Sequence, residues 1–136
     1  LLAQRWTQVI TGTVTDEGVP AVDMDVGGRV WRAIVDTGFN GDLELPERLR
    51  RSVNPRFVSR VWSSLAGAQT IVENAYLVQF PFDGRVVLAQ ATFTPGNEIL
   101  VGTRLLRSYR LEIDFAARTV LLERAADLRQ GASDAH

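Results

Sequence analysis

Three consecutive residues, Asp36, Thr37 and Gly38, have types and an order suited to acid–base chemistry. They follow the apolar run Ala33-Ile34-Val35, which reads as a strand end lying in the core. A carboxylate held against apolar walls is a candidate for proton transfer. Gly38 is expected to let the chain turn sharply and another backbone approach closely. Asp-Thr-Gly is also a common turn in which Asp bonds its own backbone, so a purely local role for Asp36 stands beside the chemical one.

Composition removes most competing chemistries. The 136 residues contain no Cys and no Lys, and the one His is the last residue, His136. Thiol nucleophiles, Cys-ligated metals, Schiff bases, a phosphate-loop Lys and multi-His metal sites are therefore excluded or very poorly supported. Ser63 and Ser64 have no His or Lys to act as a base. Carboxylates, hydroxyls and Arg remain. Fifteen basic and sixteen acidic residues nearly cancel, which argues against nucleic acid as a partner. No apolar run approaches the roughly 18 residues of a membrane span. Neither a metal nor another cofactor is expected.

The elements that must position Asp36 are mostly strands. Residues 9–15, 21–26 and 29–35 are β-prone runs joined by Asp16-Glu17-Gly18 and Gly27-Gly28. Asp23 and Asp25 alternate with apolar neighbours and are expected to face solvent. After a loop at 36–42 come Leu43-Glu44-Leu45 and a short helix opened by Pro46. Arg48, Arg50 and Arg51 are expected on its exposed face. Residues 58–62 and 69–73 read as hairpin arms around 63–68. Residues 75–80 and 85–93 are two further strands. Residues 99–102 lead into an expected helix at 103–108. Residues 111–115 and 119–123 form a closing hairpin, with Asp114 expected to pair with Arg118. The chain thus reads as one all-β domain, residues 1–123, with one or two short helices. Residues 124–136 read as a tail with a helical turn over 124–129. Leu1 is not an initiator Met, so a chain trimmed from a longer one is expected. The compartment is left open, with the cytoplasm as the first expectation.

The segment Ile99-Leu100-Val101-Gly102-Thr103-Arg104-Leu105-Leu106 supplies a second motif: an apolar triplet, a Gly and a Leu-Leu pair. With Ala33-Ile34-Val35-Asp36-Thr37-Gly38 upstream, it resembles the retropepsin-like aspartic proteases, the single-domain family that includes the retroviral proteases. The resemblance runs from about Val9 to Glu123. It implies a closed, barrel-like fold that works as a homodimer, with Asp36 from each subunit forming a catalytic dyad. Two carboxylates at such range share a proton and activate a water between them. Thr37 would bond across the twofold axis, and Gly38 would present its backbone to an extended peptide. The flap would span residues 60–70, with Leu65, Ala66 and Gly67 at its tip. Phe39, Asn40 and Trp62 are further candidates for substrate contact, Trp62 being equally suited to the core or an interface.

Phe39 departs from the family pattern, which has a small residue there. The chain also continues past Phe115, where retroviral proteases end. Two other readings therefore accompany the protease. One is a peptide-binding or dimerisation module of the same fold with weak or no catalysis. The other is a β-barrel domain in which Asp36 only forms a turn.

Overall fold

The structure is a computed structural model that describes residues 9–65 and 67–125. Ten strands dominate it: β1 (Val9–Val14), β2 (Pro20–Val26), β3 (Arg29–Val35), β4 (Leu43–Pro46), β5 (Arg56–Leu65), β6 (Gln69–Phe82), β7 (Arg85–Thr94), β8 (Ile99–Val101), β9 (Tyr109–Asp114) and β10 (Thr119–Arg124). Period-two patterning explains the inner strands. In β2, Val22, Met24 and Val26 are buried while Asp23 and Asp25 are exposed. A 3-10 helix, Glu47–Ser52, follows Pro46 and buries Leu49.

All ten strands join one sheet in the order β5-β6-β7-β4-β8-β3-β2-β1-β10-β9. The pairs β3·β8 and β4·β7 are parallel, and the rest are antiparallel. Among the described residues the expected closed barrel does not form. The hydrogen-bonded order ends at β5 on one side and β9 on the other, so the sheet keeps two edges. The apolar faces of the strands, with Leu49 and Leu106, share one core, in which Leu43, Leu45, Phe80, Ile99 and Leu122 are at most 1% exposed. Burying each such side chain contributes roughly 2 kcal/mol.

Several expectations change in detail. Residues 69–73 and 75–80 belong to one long strand, β6, so the hairpin is longer than its sequence signals. Residues 103–108 form successive turns rather than a helix. Their first amides are drawn to another loop, Thr103 N–H to Phe39 O and Arg104 N–H to Gly41 O, and Tyr109 N–H closes a tight turn on Leu106 O. Arg118 pairs with Asp16 at 2.7 Å and donates to Val14 O, while Asp114 accepts from Ala117 N–H. The Asp114–Arg118 pair therefore does not form. Arg48 lies over the Trp31 ring, and Arg50 over Tyr76 and Phe93, so these two cations cover aromatic surface rather than only facing water. The helical turn expected over 124–129 lies outside the described residues from 126 on, and Arg124 itself closes β10.

One charged cluster ties the end of the chain to the middle. Asp83, in the β6–β7 turn, has a side chain only 2% exposed and meets Arg124 at 2.8 Å. The Tyr109 hydroxyl donates to the same carboxylate. Burial first, and then the bond to Asp83, pushes the Tyr109 phenol up to about 12. Arg124→Ala would leave a buried carboxylate without its cation, so a loss of about 3 kcal/mol is expected in denaturant unfolding. A folded-state pKa above the unfolded value of 10.0 means that the Tyr109 contribution is complete below pH 10. It is lost as pH rises toward 12. Unfolding midpoints should fall across that window, and less steeply in Tyr109→Phe.

Candidate active site

Asp36 leaves β3 on its C-terminal side and begins a loop that returns as β4 at Leu43. Both stems of this loop rest on β8. Val35 sits opposite Val101 in parallel register, and Leu43 sits opposite the same Val101 in antiparallel register. Four backbone bonds then pin the loop itself. Asp36 N–H donates to Val101 O at 3.0 Å, and Gly102 N–H to Asp42 O at 2.9 Å. Thr103 N–H donates to Phe39 O at 2.8 Å, and Arg104 N–H to Gly41 O at 3.2 Å. The second motif of the sequence is thus a template for the first.

Within the loop, the Asp36 carboxylate is half-buried, and its Oδ1 accepts Gly38 N–H at 2.9 Å. The turn role and an exposed reactive role are compatible, because Oδ2 has no partner among the described residues. Gly38 keeps an ordinary backbone conformation, so close approach to Asp36 matters here more than a left-handed turn. The Thr37 side chain is exposed and has no partner among the described residues. Asn40 is exposed as well.

Phe39 is half-buried, with its ring against two glycines. An added Cβ at Gly41 would lie 2.7 Å from the ring, and one at Gly102 would lie 2.8 Å from it. A Cβ at Gly102 would also lie 2.1 Å from Gly41 O and 2.7 Å from Phe39 O. These are backbone atoms that cannot rotate away. The absent side chains at 41 and 102 are what make room for a bulky residue after Asp-Thr-Gly.

A groove of about 520 Å³ opens beside Asp36. Gly38 and Phe39 form one wall, and Val61, Ser64, Ile71 and Glu73 of the β5–β6 hairpin form the opposite one. Glu44 of β4 and Arg104 also line it. Trp62 does not. It pairs with Val72 on the strand and is 76% exposed, outside both groove and core. Leu65 ends β5, and Gly67 lies in the exposed turn beyond the lining, while Ala66 lies outside the described residues. Sequence reasoning missed Glu44. Its alternation with Leu43 and Leu45 is a signal for the face away from the core, but nothing local indicates what covers that face. Burial, then the neighbouring Glu73 and Asp36 charges, raise its carboxyl above the ordinary range. No group of three or more acidic or His side chains among the described residues is arranged to hold a metal ion.

No sequence-family model matches the chain, and no curated protein matches it. Solved structures do. A retropepsin-like aspartic protease from Rickettsia conorii superposes over 87% of this chain and 92% of its own, with a TM-score of 0.63 and 15% identity. The fold is retropepsin-like. The simian foamy virus protease also aligns over 64% of this chain and 91% of its own, with a TM-score of 0.50 and 18% identity. A foamy viral protease-reverse transcriptase bound to an RNA/DNA hybrid matches over 79% of this chain but 13% of its own, at a TM-score of 0.53 and 17% identity. At such identities the likeness concerns the backbone. In that retropepsin-like frame, Gly102 is where the two motifs touch. Gly102→Ala is expected to cost about 3 kcal/mol or more in denaturant unfolding, since the clash is with backbone.

Proposed function

We propose that the chain is an aspartic endopeptidase that works as a homodimer, with one Asp36 from each subunit. The observation that carries this reading is the Asp36 carboxylate, pinned at a strand end and opening on a groove beneath a long hairpin in a retropepsin-like fold. One Asp-Thr-Gly per chain supplies one carboxylate, so the second comes from a second copy. Thr37 supports that arrangement, being exposed with no partner among the described residues.

In the dimer, the two Asp36 groups share one proton. The ionised carboxylate removes a proton from the bound water, whose oxygen attacks the scissile carbonyl carbon. The protonated carboxyl donates to the carbonyl oxygen. The tetrahedral diol then collapses, a proton passes to the departing nitrogen, and an acid and an amine are released. An extended peptide adds between the Gly38 backbone and the hairpin, whose closure excludes water. Phe39 forms part of the peptide-facing wall, and neither metal nor nucleic acid enters the reaction.

Phe39 also sustains a second reading. It carries no hydroxyl to bond Asp36, and a groove that binds peptides without cleaving them fits the same geometry. Purified protein incubated with a peptide library at acidic to mildly acidic pH separates the two. Asp36→Asn is expected to lower cleavage roughly 100-fold to 10,000-fold, and specific activity is expected to fall on dilution. Unchanged cleavage by Asp36→Asn overturns the protease reading, while binding without any cleavage by the unmodified protein establishes the second.

A further inference from the structure

The groove beside Asp36 is one-sided in charge. Among the described residues that line it, Asp36, Asp42, Glu44 and Glu73 bring four carboxylates, against the guanidinium of Arg104. Asp36, Asp42 and Glu73 all have interactions within the fold. Asp36 accepts Gly38 N–H, and Asp42 Oδ2 accepts Gln90 N–H at 2.9 Å. Glu44 stands apart. Among the described residues it makes no hydrogen bond and no ion pair, although it is half-buried. Its position is rigid, because β4 is flanked by two strands and Glu44 lies opposite both Thr92 and Leu100. Leu43 and Leu45 on either side are buried, so the backbone cannot turn Glu44 outward without exposing them. The carboxyl is therefore presented to whatever fills the groove.

We infer that Glu44 makes this groove select peptides that place an arginine or lysine side chain beside Asp36. The inference rests on the groove being a peptide cleft. An apolar side chain there would cover Glu44 and leave it without a partner, which is costly for a charged group. A second acidic side chain would add repulsion. A cation on a flexible stem pairs with Glu44 and offsets the like charges of Glu73 and Asp36 together. A metal ion is a poorer match, because these carboxylates do not converge as a ligand set. The raised proton affinity of Glu44 agrees with this geometry, since it reports burial among like charges.

The test compares peptides differing only in arginine against citrulline, or lysine against norleucine, scanned through each position of a blocked peptide. Binding is measured on Asp36→Asn protein, whose turnover is strongly reduced, and cleavage is measured on the unmodified protein. At one position the charged peptide is expected to bind roughly tenfold more tightly or better than its neutral counterpart. Glu44→Gln in the same background should bring that ratio to near one. Should that variant fold poorly by circular dichroism, the ratio in the unaltered groove should still shrink as salt is raised. A ratio near one at every position, or one that neither Glu44→Gln nor salt reduces, overturns the inference. Charged-peptide preference without cleavage leaves it standing and removes the protease reading. Cleavage without preference does the reverse, and failure to bind any peptide overturns both.

Discussion

Both stems of the Asp36 loop are fastened to one three-residue strand, and the rest of the molecule is arranged to keep that strand in place. β8 accepts β3 on one side and β4 on the other, so Val101 fixes where the loop leaves and where it returns. The following Gly102 brings its backbone so near Gly41 and Phe39 that no side chain fits. A reactive carboxylate on a loop is normally mobile. Here four backbone bonds from residues 36 and 102–104 hold it, at no cost in side-chain entropy.

The long β5–β6 hairpin gives the loop something to face. It lies at one edge of the sheet, and its distal residues Val61, Ile71 and Glu73 close a groove over β4. The opposite end is secured differently. Asp83, Tyr109 and Arg124 bind the β6–β7 turn to the last two strands through a buried charge pair and a hydroxyl. A buried carboxylate paired with Arg124 favours one docking of that hairpin.

Legibility in the sequence followed the range of the interaction. β2 and β3 were readable because their side chains alternate, and Asp36 because an apolar run delivers it to a core edge. Glu44 alternates with Leu43 and Leu45 in the same way, but the hairpin that covers its face starts a dozen residues later. Residues 103–108 have helix-forming composition, yet their leading amides bond Phe39 and Gly41, partners more than sixty positions away. Arg118 had Asp114 close in sequence and found Asp16 instead, because β10 slots beside β1.

By itself, the sequence determined which chemistry is available: no thiol, no Lys, a lone terminal His, and one Asp-Thr-Gly behind an apolar strand. Residue types settle that, since a functional group that is absent cannot be supplied by folding. It also determined the strand-rich class, because period-two patterning is local. Tertiary structure decided that the sheet stays open, that Phe39 is seated against Gly41 and Gly102, and that Glu44 shares a groove with Asp36. Those outcomes depend on contacts between segments far apart in the chain. Their energies arise only when the strands are assembled, and no local pattern carries them.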